Sequence, residues 1–195
     1  IFANTQSGGT TSLAYVSIFL PAGGTSATNL TLNNNAYFSG TAAASQGLAQ
    51  VGTTAGTGFY LAANFNPGAT TPANNLRSYT STLNSGGTND NASFATTSAA
   101  PFTSNTNLHL IAAATTQIES GAVAISGITT DIDGQNRYPN SGFPDNPSSP
   151  AIAPDMGADE FAGTKLSVCS GIPAASTIIG ASAVCVNTGT TLSLS

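Results

Sequence analysis

A chain of 195 residues with 3 Lys+Arg, 8 Asp+Glu and a formal net charge of -5 has room for one domain, or for one domain and part of another. Charged residues make up 6% of it against roughly 25% in ordinary soluble domains, which excludes a charge-laced helical bundle, a coiled coil and a cationic nucleic-acid surface, since each phosphate contact needs its own cation. Solubility must come from the hydroxyl and amide groups of Ser, Thr and Asn.

The chain opens on Ile1 with no basic region, apolar stretch and small-residue cleavage site, so a secretory leader is expected to be absent or already removed. Leu13, Tyr15, Val16, Ile18 and Leu20 form the first apolar group. It is interrupted by Ser17, stopped by Pro21 and far short of the roughly 18 apolar residues of a membrane helix, so it reads as a strand. Leu30 with Leu32, Phe59 to Leu61, Leu108 with Leu110, and Val123 with Ile125 repeat the pattern of short alternating strands. Between them, Pro21-Ala22-Gly23-Gly24, Asn33-Asn34-Asn35, Asn74-Asn75 and Ser85-Gly86-Gly87 read as tight bends, because Gly and Asn tolerate positive φ. The alanine runs at 42–44 and 112–114 fall in no 3.6-residue pattern, so little helix is expected.

Short strands with few large apolar residues fit a sandwich, a barrel or a solenoid. A parallel solenoid needs only a few inward side chains per coil, because neighbouring coils supply the rest of the core. That narrowly favours the solenoid for a chain so rich in small residues. No regular period supports it independently: Asn-rich turns near 33, 64, 74 and 89 are unevenly spaced.

The acids are unevenly placed. Ile1 to Ile118 holds only Asp90, and the other seven lie between Glu119 and Glu160. The same region carries an ordered series: Asn89-Asp90-Asn91-Ala92-Ser93-Phe94, Ala100-Pro101-Phe102, Asn107-Leu108-His109-Leu110, Thr130-Asp131-Ile132-Asp133-Gly134-Gln135-Asn136-Arg137, and Pro154-Asp155-Met156-Gly157-Ala158-Asp159-Glu160-Phe161. This series resembles the C-terminal part of secreted bacterial right-handed parallel β-helix proteins of the pectin-lyase-like, choice-of-anchor type. Two departures are Ala100, where the family has an acid before Pro101, and the long Pro-rich stretch from Tyr138 to Ala153. The resemblance implies an all-β fold, a right-handed parallel β-helix over 1–162. It also implies a closing motif made of Asp131, Asp133, Gly134, Arg137, Asp155, Gly157, Asp159 and Glu160.

Cys169 and Cys185 are the two cysteines. They suit one disulfide in an oxidising compartment better than a metal site with three or four ligands, two reduced buried thiols being the alternative. The run Cys169-Ser170-Gly171-Ile172-Pro173 with Ala183-Val184-Cys185 and Thr191-Leu192-Ser193-Leu194 resembles the opening of an immunoglobulin-like module. Residues 163–195 are accordingly expected to be a linker and the first strands of such a module, a short β extension completed by further chain or by another subunit.

Three readings compete for the acids. Asp131 and Asp133 can bond turn amides while Arg137 pairs with an acid to seal the last coil. They can help bind Ca²⁺, although the spacing is not that of an EF-hand loop. They can join Asp155, Asp159 and Glu160 as paired carboxylates for glycoside hydrolysis. The structural reading is preferred, with no metal and no cofactor expected. Lyase chemistry needs cations and a base, and Arg77, Arg137 and Lys165 are the whole supply. Arg77 and Tyr79 share a face if their segment is extended, but a solvent-facing Arg77 is the plainer expectation. His109 faces away from Leu108 and Leu110 and is expected at the surface or packed on a loop.

The expected function is therefore a non-enzymatic structural or adhesive protein of the bacterial cell surface, with fibre assembly through terminal strands as one form of it. Its partners would be copies of itself, other surface proteins or glycans, with no nucleic acid and no membrane insertion. The alternative is a β-helix that binds or cleaves polysaccharide.

Overall fold

The computed structural model describes residues 1–4, 6, 15–40, 46–52, 58–65 and 75–166. The expected disulfide between Cys169 and Cys185 and the expected strands after it lie outside the described residues. Small sheets dominate and helices are few. Among the described residues, strands β1 (Phe2–Ala3), β2 (Tyr15–Leu20), β3 (Ala36–Phe38), β4 (Gln46–Val51), β5 (Phe59–Tyr60), β6 (Phe94–Thr96), β7 (Thr115–Thr116) and β8 (Thr164–Lys165) accompany one α-helix, α1 (Leu76–Thr82), and two short 3₁₀ turns.

The first sheet has the order β1-β3-β6 and is parallel throughout, with Phe2 opposite Tyr37 and Tyr37 opposite Ala95. The second has the order β2-β4-β5. In it β2 and β4 run parallel, with Ile18 opposite Ala49, while β5 returns antiparallel. The chain visits the two sheets alternately: β1 in the first, β2 in the second, β3 in the first, β4 and β5 in the second, β6 in the first. A third, two-stranded parallel pair joins β7 to β8.

Alternation explains how so few large side chains serve two cores. In β3, Ala36 and Phe38 point to one side and Tyr37 to the other, because successive strand residues face opposite ways. Ala36 and Phe38 pack with Leu110, Ile118, Met156 and Phe161, while Tyr37 packs with Leu48, Ala49, Tyr60, Phe65 and Leu76. The central strands β3 and β4 are buried almost from end to end, whereas the edge strand β2 exposes Tyr15 and Phe19. Continuous burial is what a parallel strand covered on both faces shows. Leu48 has no exposure, which stabilises the fold by about 1.5–3 kcal/mol relative to an exposed leucine.

Asp90, the lone acid of the first 118 residues, is a buried anchor. Its φ is 54°, a left-handed conformation that Asp tolerates better than most residues. Its carboxylate accepts hydrogen bonds from Tyr37 Oη at 2.9 Å, Ser93 Oγ at 2.8 Å, Asn35 Nδ2 at 3.3 Å and Thr80 Oγ1 at 3.4 Å. Burial first, and then the Asp90 charge, push the Tyr37 phenol well above its usual range.

Several expected strands are not formed. Leu30 and Leu32 lie in a loop whose backbone is held by Asn89, which donates to Leu30 O at 2.9 Å and accepts from Leu32 N at 2.8 Å. Leu108–Leu110 makes only an isolated bridge to Phe102. Val123 and Ile125 are 66% and 69% exposed, so their alternation faces solvent. The segment expected to place Arg77 beside Tyr79 on a strand is α1. Asn75 caps it by accepting from Ser78 N at 3.1 Å, as short amide side chains do at helix starts. Residues two apart on a helix do not face each other, and the Arg77–Tyr79 pair is therefore dissolved. Among the described residues no helix is long and apolar enough to cross a membrane.

Candidate functional site

From Glu119 to Phe161 the backbone is almost all turn and bend, so its amides cannot be satisfied by ladders. Carboxylates satisfy many of them instead. Asp131 Oδ1 accepts from Asp133 N at 2.9 Å and Gln135 N at 2.8 Å, and its Oδ2 accepts from Glu160 N at 3.2 Å. Gly134 completes this turn at φ 77°, where a side chain would be strained. Asp155 Oδ1 accepts from Ser120 N at 2.7 Å, and its Oδ2 accepts from Phe161 N at 2.9 Å. Asp159 Oδ2 accepts from Leu110 N at 2.6 Å.

Arg137 ties these turns together. Its Nε lies 3.1 Å from Glu160 Oε2, Nη1 donates to Gly157 O at 2.7 Å, and Nη2 donates to Asp155 O. Both members of the ion pair are nearly buried, with side chains 10% and 1% exposed. Glu160 Oε1 also accepts from Tyr138 N at 3.2 Å. Gly157 sits at φ 103° with Ile1 against it, where a Cβ would meet Ile1 Cδ1 at 3.0 Å. Asp131, Gly134, Arg137, Asp155, Gly157 and Glu160 are thus brought into one bonded network, with Asp159 fastened beside it to Leu110. Asp133 departs from the expected turn role. Its carboxylate points outward to His109, with Nε2 3.1 Å from Oδ2.

Comparisons with protein-family models, with curated proteins and with solved structures find no match.

Two members of the network gave no separate signal in the sequence. Glu119 is buried and accepts from Gly163 N at 3.0 Å and Ser120 Oγ at 2.9 Å. Lys165 Nζ donates to Ser120 O at 2.8 Å, which draws β8 onto the segment. The crowding of seven acids into Glu119 to Glu160 was the available clue to Glu119.

Burial pushes all three inner acids up. Asp155 is raised to about 8, burial outweighing the opposing pull of the Phe161 and Ser120 amides. Glu119 is raised by burial against its bonds to Ser120 and Gly163. Glu160 is raised by burial against the Tyr138 and Asp155 amides and the Arg137 charge.

Away from this segment, Arg77 stands at a polar cleft of about 630 Å³ whose lining includes Asn75, Ser81, Asn84, Asn89 and Asn91. Its guanidinium lies 5.9 Å from the Phe65 ring centroid and donates to Asn91 Oδ1 at 2.7 Å. Its Nε is buried with no hydrogen-bond partner among the described residues. The cleft and the acidic network share no residue: Asn75, Arg77 and their neighbours line the one, and the carboxylates hold the other.

Proposed function

We propose that this chain is a non-enzymatic structural element of the bacterial cell surface, a right-handed parallel β-helix whose last coil is closed by the Glu119 to Phe161 segment. The observation that carries this reading is the use of the acids. Asp131 and Asp155 have both oxygens engaged by backbone amides, and Glu160 is held by Arg137 and two more amides. A glycosidase pair needs one carboxyl to protonate a leaving group and another free to attack or to activate water, and these acids are committed to holding turns. The alternating visits that stack β1, β3 and β6 in parallel in one sheet and β2 and β4 in parallel in the other support a solenoid, with the antiparallel return of β5 as a departure from a regular coil.

The same topology favours head-to-tail contact between copies. Among the described residues, β1 and β2 each pair on one side only, and Phe2, Tyr15 and Phe19 on them are exposed. Unpaired edges with apolar side chains are templates for another chain's strand. Negative-stain microscopy of the purified chain tests the fibre. Filaments whose length grows with concentration are expected, and monodisperse short particles would exclude it.

The polar cleft at Arg77 supports glycan binding as a second reading: it is lined by amides and hydroxyls around one cation, as suits a carboxylated sugar. Calorimetry with galacturonate oligomers is its test. Heat that is unchanged by Arg77→Ala would remove it.

A further inference from the structure

Three sequence segments converge on the outer side of the closing region in a way the turn network does not require. His109, Asp133 and Asp159 each offer a ligand atom, and these atoms all lie within 4.8 Å of one another. The side chains of His109 and Asp133 are 46% and 45% exposed, so solvent and ions reach them. The other ring nitrogen of His109, Nδ1, lies 2.5 Å from Asn107 Oδ1, and the His109 backbone N–H donates to the same atom at 3.2 Å. An amide oxygen only accepts, so Nδ1 carries a hydrogen and Nε2 is the nitrogen turned to the carboxylates. Asp159 is held in place through Oδ2 by the Leu110 amide, which leaves Oδ1 available.

We propose that His109 Nε2, Asp133 and Asp159 form a binding site for a divalent first-row transition cation of the Zn²⁺ type. An oriented imidazole that donates its far N–H to a carbonyl oxygen is the usual support of a metal-bound histidine. One imidazole and two carboxylates suit Zn²⁺ or Mn²⁺, whereas Ca²⁺ seeks six to eight oxygens. Asp131, the other candidate for calcium, has its oxygens engaged by the amides of Asp133, Gln135 and Glu160. Bonds of about 2.1 Å to a tetrahedral Zn²⁺ set ligand atoms about 3.4 Å apart. The exposed His109 and Asp133 side chains can close that difference by small rotations. Binding of the cation releases to solvent the proton that bridges His109 Nε2 and Asp133 in its absence, while Nδ1 keeps its own hydrogen. The bound cation links the His109 segment, the Asp133 turn and the Asp159 segment, and leaves coordination positions open to water.

His109 is the one histidine of the chain, so its ring nitrogens give an unambiguous signal in long-range ¹H–¹⁵N spectra of the untagged full chain, and binding at the cysteines does not enter it. Titration with Zn²⁺ near neutral pH is expected to move the Nε2 resonance saturably, with Nδ1 staying protonated. Asp133→Asn and Asp159→Asn are each expected to weaken the midpoint at least about tenfold, the scale on which metal sites respond even to loss of supporting groups. Asp133→Asn decides if Asp159→Asn disturbs folding, because the Asp133 side chain is exposed and its carboxylate bonds to His109 rather than to a turn amide among the described residues. An Nε2 resonance unmoved by millimolar Zn²⁺, or a midpoint unchanged in Asp133→Asn, would overturn the assignment.

Discussion

The inner acids make stability depend on pH in a direction opposite to that of ordinary surface carboxylates, and Asp155→Asn isolates the effect. The folded value of Asp155 is about 8 against an ordinary 3.8, so the fold binds a proton that the unfolded chain releases. That contribution is complete below about pH 4 and is lost as the pH rises toward 8. Four decades of proton affinity at about 1.4 kcal/mol each amount to at most about 6 kcal/mol. Glu119 and Glu160 are raised as well, and they steepen the same slope. In Asp155→Asn the side chain keeps its shape and loses its proton equilibrium. It offers one acceptor and one NH₂ where the Ser120 and Phe161 amides both donate, which costs about 1–3 kcal/mol at every pH. Urea unfolding followed by circular dichroism should therefore find the variant less stable near about pH 5. The gap should shrink and then invert toward about pH 8 as the wild type loses its proton. A gap that stays constant or widens with pH would mean that the two amides keep Asp155 ionised in the fold, and the reasoning from burial would fail.

Three further substitutions probe the scaffold. Arg137→Ala removes the partner of the buried Glu160 and should cost about 3–5 kcal/mol in chemical denaturation. Leu48→Ala opens a cavity at a position with no exposure, with an expected loss of about 2–5 kcal/mol. Gly157→Ala combines a left-handed φ of 103° with contact to Ile1 and should lower the thermal midpoint through a strain of about 1–3 kcal/mol. An unchanged midpoint would show that Ile1 yields at no cost.

What the sequence disclosed follows a physical line. Tyr15–Leu20 and Phe59–Tyr60 were legible as strands because β-branched and aromatic residues gather there, with Ile18 and Leu20 half-buried against the core and Tyr60 within it. The same alternation misled at Leu30 with Leu32 and at Val123 with Ile125. In a chain with so few charges, an apolar pair on a loop looks like an apolar pair in a ladder. Helix α1 was missed because Leu76-Arg77-Ser78-Tyr79-Thr80-Ser81-Thr82 contains few strong helix formers, and its signal lay in the cap at Asn75. The Arg137–Glu160 pair was anticipated as an arginine sealing the acidic segment. The partner of Asp133 was not, because His109 stands 24 residues away and only the folded turns bring them together.

The pairing of β7 with β8 also determines how the molecule would answer a pull. The strands run parallel, so tension applied along the chain beyond Leu166 and resisted from the side of Ile1 slides one strand past the other. Their hydrogen bonds, extended by Thr164 N to Ala114 O and Leu166 N to Thr116 O, then bear the load together, where an antiparallel hairpin would peel open one bond at a time. The Lys165 bond to Ser120 and the Glu119 bond to Gly163 lie beside that ladder as cross-ties. Under tension in that direction this short pair is a shear joint.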